Sequence, residues 1–295
     1  MYISRLIAKG YKVAICEQVE DPKEAKGIVK RDVVRVVTPG TVIESNMLDE
    51  KKNNYIMSIY KTGVYFGLAV CDITTGDFLA TQITESNNYA KLLDEFARFL
   101  PAEAVVNDYL YNSSQEITDI KQRFNIILTS EKEEEFGEDY SDLQKKYTIV
   151  DDNEEEIKEF EDSLLALAAA NGLLSYLHKT QKIKLEHINI IKIYKIQKYM
   201  VLDITARRNL ELTERMSDKS KKGSLLWVLD RTSTSMGGRQ LRRWLNNPLI
   251  DVFEINKRLE AIKELKENLM LKGETIVNLK KIYDIERLVR KDFIW

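Results

Sequence analysis

The chain has 295 residues, 44% of them hydrophobic and 31% charged, the balance of a folded protein with room for two or three domains. No apolar run reaches the roughly 20 residues that span a bilayer, no signal peptide opens the chain, and two cysteines, Cys16 and Cys71, cannot build a disulfide framework. A membrane or secreted protein is therefore not expected, and a cytoplasmic one is.

The net charge of −2 conceals an asymmetry. Residues Glu131–Asp162 hold fifteen acids against four bases, a net of −11, so the remainder carries +9. With only two histidines, His178 and His187, and no Cys/His cluster, a structural zinc site is not expected.

In chain order, Met1–Lys9 reads as a helix end closed by Gly10. Tyr11–Cys16 and the β-branched Val33–Val37 read as strands, the second buried, with Asp21-Pro22 opening a loop or short helix between them. Tyr55–Tyr60, Tyr65–Cys71 and Phe78–Ile83 are separated by the turns Lys61-Thr62-Gly63 and Thr75-Gly76-Asp77, the pattern of a β-meander. Leu92, Leu93, Phe96, Phe99 and Leu100 have helical spacing over Tyr89–Leu100, and Pro101 stops that helix. Short strands at Ala104–Val106 and Asn125–Leu128 flank a helix at Ser114–Arg123. The order βββαβαβ predicts a mixed α/β layer fold.

The acidic stretch Glu131–Glu156 has few apolar residues and reads as a surface loop. A long helix is predicted over Glu155–Lys179, its run Ala166–Ala170 suited to close packing. The pattern is strand-like from Leu185 to Leu202 and helical thereafter. Asp251-Val-Phe-Glu254 has capping-box spacing ahead of Ile255, Leu259, Ile262, Leu265 and Leu269, and a last helix carries Ile282, Ile285 and Leu288. In the short helices around Leu225–Leu229 and Leu241–Leu245, Leu226, Trp244 and their apolar neighbours should bury one face each. Gly237 and Gly238 would let the two backbones approach, with Trp244 as a buried anchor.

Chemistry-bearing motifs are sparse. No GxxxxGK[ST] phosphate loop and no GxGxxG string occurs, and Met236-Gly-Gly-Arg239 reads as a tight helix start. Asp72 ends an apolar strand and could ligate Mg²⁺ in a nuclease, but two-metal chemistry needs convergent acids that the later strands do not supply. A turn-forming aspartate is the simpler reading. The basic pairs Lys30-Arg31, Arg207-Arg208, Lys221-Lys222 and Arg242-Arg243 could neutralise DNA phosphates or form an ordinary solvated surface. His178 and His187 read as structural.

Longer strings carry a resemblance. Gly10-Tyr-Lys-Val-Ala-Ile-Cys-Glu-Gln18, Glu20-Asp-Pro-Lys-Glu-Ala-Lys-Gly27 and Val29-Lys-Arg-Asp-Val-Val-Arg-Val-Val-Thr-Pro-Gly-Thr41 resemble the end of the mismatch-recognition domain of the MutS family of DNA mismatch-repair proteins. Asp203-Ile-Thr-Ala-Arg-Arg-Asn-Leu-Glu-Leu-Thr213, Leu225-Leu-Trp-Val-Leu-Asp230 and Met236-Gly-Gly-Arg-Gln-Leu-Arg-Arg-Trp-Leu245 resemble the start of that family's core domain.

The resemblance implies an α/β plus α architecture. Residues 1–44 would be the tail of the recognition domain, 52–185 a ribonuclease H-like mixed α/β connector domain without its nuclease site, and 186–295 the first part of an all-helical core, or lever, segment. It implies an internal piece: the family's mismatch-wedging Phe-x-Glu would precede Met1, and its clamp and ATPase would follow Trp295. For the full-length protein it implies mismatched duplex DNA, ATP and Mg as ligands, a homodimer, and MutL docking on the connector. This chain alone is expected to need no cofactor or metal and to hydrolyse no ATP. The expected DNA-contact residues are Lys30, Arg31, Arg35, Arg207, Arg208, Arg242 and Arg243. The alternatives are a ribonuclease H-like metal-dependent nuclease using Asp72, or a stand-alone DNA-binding module.

Overall fold

A computed structural model describes residues 2–20, 29–85, 87–137, 140–157, 160–182 and 185–291. The loop expected at Asp21-Pro22 and the closing run 292–295 lie outside the described residues.

The first segment is a helix, α1 (Tyr2–Ile7), and an antiparallel pair, β1 (Val13–Gln18) and β2 (Arg31–Val37). Gly10, at φ +83°, ends the α1 turn by donating its N–H to Ile7 O at 2.8 Å, a conformation that favours a residue without Cβ. Ile7, Val37 and Val42 form only a small core here. β2 is half-buried rather than the buried strand expected, because a two-stranded sheet with so little apolar cover leaves one face to solvent.

The centre is a seven-stranded mixed sheet. The meander β3 (Ile56–Thr62), β4 (Tyr65–Asp72) and β5 (Asp77–Ile83) is antiparallel. β6 (Glu103–Asn107) runs parallel to β3, and β7 (Ile127–Glu131) parallel to β6. On the other side β9 (Ile190–Ile193) runs parallel to β5, and β8 (Thr148–Val150) parallel to β9. The spatial order is β7-β6-β3-β4-β5-β9-β8.

Alternation along β4 divides the two faces. Phe66, Leu68 and Val70 pack with α2 (Asn88–Phe99) and α4 (Ser114–Phe124), while Ala69 and Cys71 pack with α6 (Leu164–Gln181). The α6 face is built from small residues. A Cβ on Gly67 would lie 1.8 Å from Leu165 O, so the alanine-rich start of α6 sits directly on β4. The short α3 (Asp108–Tyr111) links β6 to α4.

Two expectations are corrected. The acidic stretch is not simply a surface loop. It contains α5 (Ser141–Lys146) and β8, and it buries Phe136, Leu143, Ile149 and Val150. The Phe136 ring packs on Gly172 of α6, where a Cβ would stand 2.3 Å from it. The long helix begins at Leu164, not near Glu155: Glu156 pairs with Val150 as an isolated bridge, Ile157 and Phe160 pack on the core from outside the helix, and a 3-10 turn over Glu161–Ser163 leads into it. β9 falls within the strand-like run expected from Leu185 to Leu202 and extends the sheet, and the next α-helix starts at Ile204.

The helical segment comprises α7 (Ile204–Asn209), α8 (Leu225–Leu229), α9 (Ser235–Asn246), α10 (Val252–Glu267), α11 (Leu269–Leu279) and α12 (Ile285–Lys291). Side-chain caps start five of them. Asp203, Ser224, Thr234 and Asp251 accept from the N–H of Ala206, Trp227, Gly237 and Glu254. Asn268 interrupts the single helix expected through Leu269 and caps α11 instead.

The packing expected of α8 and α9 is also corrected. Leu226 is buried, but Trp244 is 40% exposed and Leu225 and Leu229 are exposed as well. Trp244 stacks on the Arg258 guanidinium, 4.1 Å from the ring centroid. What approaches Gly238 is the Lys51 side chain, whose Cδ would be 2.7 Å from an added Cβ, not the backbone of α8.

Candidate functional site

A dense charged network joining distant parts of the chain lies where the helical segment meets the α/β domain. It grips residues 49–52, the linker leading into β3, from two sides. From the α8–α9 loop, Asp230 accepts from Lys51 Nζ at 3.1 Å and from Lys221 Nζ at 2.5 Å, and Thr232 Oγ1 accepts from Lys51 at 2.9 Å. From α12, Arg287 donates to Asp49 O at 3.1 Å and to Lys52 O at 2.8 Å.

Arg239 stands at the centre, 2% exposed. Its guanidinium makes a two-pronged bond to Asp284, 2.7 Å on each arm, reaches Glu286 Oε2 at 2.6 Å and donates to Glu50 O at 2.7 Å. This planar fork matches carboxylate geometry in a way lysine cannot. Burial alone would lower the Arg239 pKa, but the Asp284 and Glu286 hydrogen bonds outweigh it and hold the group charged. One turn on, Arg243 Nη2 reaches Asp77 Oδ2, at the start of β5, at 2.5 Å.

Asp72, fully buried beside this joint, is committed to protein donors. It accepts from Asn53 Nδ2 at 2.8 Å, Asn54 N at 3.1 Å, Thr74 N at 2.9 Å and Thr74 Oγ1 at 2.7 Å. It thus closes the β4–β5 turn and ties down the linker, as a turn-forming aspartate does. Among the described residues no group of three or more His, Cys, Asp or Glu converges as a metal site. His187 Nε2 lies 3.0 Å from Ile73 O, a structural contact, and burial lowers the His178 pKa.

The expected DNA-contact residues divide. Lys30, Arg31 and Arg208 are exposed. Arg35 is engaged with Gln181, Glu44 and Thr41 O at 3.0–3.1 Å, fastening β2 to the end of α6. Arg207 donates to Leu202 O and Asn246 O, and burial, then Arg98, lowers its pKa to about 10. Arg242 is half-buried and Arg243 is paired with Asp77. Arg207 thus meets the end of the helix that carries Arg242 and Arg243, while Lys30, Arg31 and Arg35 belong to the β1–β2 segment.

Sequence reasoning passed over Arg239 and Lys51, whose partners lie tens of residues away or more, and Asp230, whose bond to Lys51 spans 179 residues. It also passed over Glu103. That fully buried carboxylate accepts from Tyr176 OH at 2.6 Å and pairs with Lys12 Nζ at 3.2 Å, joining the first segment to the sheet. The only sequence hint was an acid opening an apolar strand.

The family models MutS domain I, MutS domain II and MutS domain III match residues 1–46, 54–189 and 205–292 in order. DNA mismatch repair protein MutS of Acetivibrio thermocellus is 52% identical over 290 residues, and that of Ruminiclostridium cellulolyticum 53% over 292. The protein of the same name from Alkaliphilus metalliredigens is 50% identical over 296 residues. Each alignment takes in 98% of this chain but 33% of the relative, so the chain spans about a third of the length of these relatives. With three successive domain models covering nearly all of its residues, the chain belongs to the MutS family.

Proposed function

We propose that this chain is the connector and first lever part of a DNA mismatch sensor, a scaffold that relays a signal rather than catalysing a reaction. In this reading residues 1–44 close the recognition domain, residues 52–185 together with β9 form a ribonuclease H-like connector, and the helices from α7 onward begin the lever. The order β7-β6-β3-β4-β5, an antiparallel meander flanked by two parallel strands, supports the ribonuclease H-like reading. The commitment of Asp72 to four protein donors weighs against the nuclease alternative. The whole protein would bind mismatched duplex DNA as a homodimer, use ATP with Mg, and present the connector to MutL. Exposed Lys30, Arg31 and Arg208 remain its candidate phosphate contacts.

The observation that carries the proposal is the charged joint around Arg239 and Arg243. Coupling between distant sites needs rigid bodies with discrete arrangements, and ion pairs that are either made or broken supply such arrangements. The test is a graft. This chain replaces the matching third of a full-length MutS, and the chimera is assayed for mutation-rate suppression in a strain lacking that protein. Restored repair supports the reading. A chimera that is folded and expressed but leaves the mutation rate high contradicts it.

A further inference from the structure

Beside the joint, between α9, the end of α2 and strands β5 and β9, lies a cavity of about 140 Å³. Its charged lining is lopsided: Lys52, Arg98, Lys192, Arg239, Arg242 and Arg243 against the single carboxylate of Asp152. Four of these cations are matched elsewhere, Arg98 by Glu95 at 3.2 Å, Lys192 by Glu154 at 3.5 Å, Arg239 by Asp284 at 2.7 Å and Arg243 by Asp77 at 2.5 Å. Lys52 and Arg242 form no ion pair within 4.0 Å among the described residues; Asp49 and Glu214 act on both, and Asp230 on Arg242, only from a distance.

A second observation is independent of charge. The Nε–H donors of Arg98, Arg242 and Arg243, all on side chains lining this cavity, are buried without an acceptor. Buried polar groups in folded proteins are nearly always hydrogen-bonded, so three orphaned donors around one space call for a partner. Water could accept from them but would leave two cations unmatched. The volume is well below the roughly 300 Å³ at which sites for larger organic ligands begin, so the space suits one small ion.

We propose that this cavity binds a phosphate-class tetrahedral oxyanion, held chiefly by Lys52 and Arg242. Such an ion has enough acceptor oxygens for several guanidinium and ammonium donors at once, and charge-assisted bonds of this kind are the strong ones. Burial, then Arg242, lowers the Lys52 pKa, and burial lowers that of Arg242; an anion between them reverses both tendencies. The bound ion ties the linker, through Lys52, to α9, through Arg242. The inference rests on the cavity and stands whether or not the joint carries a mismatch signal.

The test uses the 295-residue chain. Melting temperature is followed in phosphate, sulfate and chloride at matched pH and ionic strength. The expected result is a saturable rise with phosphate and sulfate that chloride does not give. Arg242→Gln should weaken the apparent phosphate affinity at least tenfold. Lys52→Gln should do the same and decides the matter if Arg242→Gln fails to fold, because Arg287 holds position 52 by its backbone carbonyl and not by its side chain. Competition with an oligonucleotide that does or does not carry a 5′-phosphate separates the two sources: competition by the phosphorylated strand alone assigns a nucleic-acid end, and no competition assigns the free ion. A melting temperature that never responds to phosphate means a water-filled cavity and overturns the proposal. So does an equal response in both variants, which means an adventitious ion only.

Discussion

Arg243 on α9 and Asp77 at the first residue of β5 meet at 2.5 Å, which makes one ion pair the direct bond between the lever and the meander. Burial pushes the Asp77 carboxyl above its ordinary range even with Arg243 drawing it down. Arg243→Gln removes that counter-charge. Both side chains are about a third exposed or more, so the expected loss is only about 1 kcal/mol near neutral pH. A carboxyl with a raised folded pKa binds its proton more readily when folded, so the deficit of the variant should shrink as pH falls toward that pKa. Denaturant melts of both proteins from pH 7 to 4 check this.

Asp230 should set the acid limit of the joint. Burial pushes its carboxyl up, but hydrogen bonds from Lys221, Thr232 and Lys51 outweigh it and hold the group well below the usual carboxylate range. The stability it contributes is therefore present above the unfolded pKa of about 3.9 and lost as pH falls through the lower folded value. Asp230→Asn should cost about 2 kcal/mol at pH 7, the scale of a hydrogen bond to a charged group. It should also flatten the fall in melting temperature below about pH 4.

Trp244→Ala should be mild. The ring is 40% exposed and its partner is Arg258, so the expected cost is about 1 kcal/mol, the scale of an exposed cation–π contact. A loss of about 3–5 kcal/mol, the cost of removing a buried aromatic, would show that the ring is covered in solution.

Asp72→Ala should cost about 3 kcal/mol, because it strips the acceptor from the Asn54 and Thr74 backbone N–H groups at roughly 1–3 kcal/mol each. Mg²⁺ or Mn²⁺ should neither raise the melting temperature of the unaltered chain nor elicit DNA cleavage. Metal-dependent cleavage abolished by Asp72→Asn would restore the nuclease reading.

The meander was legible because its turns carry glycine and its strands are rich in β-branched and aromatic residues, signals confined to a few neighbouring positions. β8 escaped because three residues, Thr148–Val150, cannot show a period and sit in an acidic surrounding. Gly67 did leave a signal, an isolated glycine within an apolar strand, and the close seat of α6 explains it. The exposure of Trp244 was not legible, since spacing tells which face of a helix is apolar and not whether a neighbour covers it. The joint was the least legible part. No local rule links Arg239 to Asp284 or Lys51 to Asp230, and such pairs exist only once the chain has folded.

If the Arg239–Arg243 joint transmits a signal, ATP turnover by the grafted full-length chimera depends on it. Hydrolysis is measured with matched and mismatched duplex, before and after Arg243→Gln, alongside mismatch affinity. The variant should still bind the mismatch while the difference in turnover between the two duplexes largely disappears. A variant that binds the mismatch and keeps the full difference would contradict it.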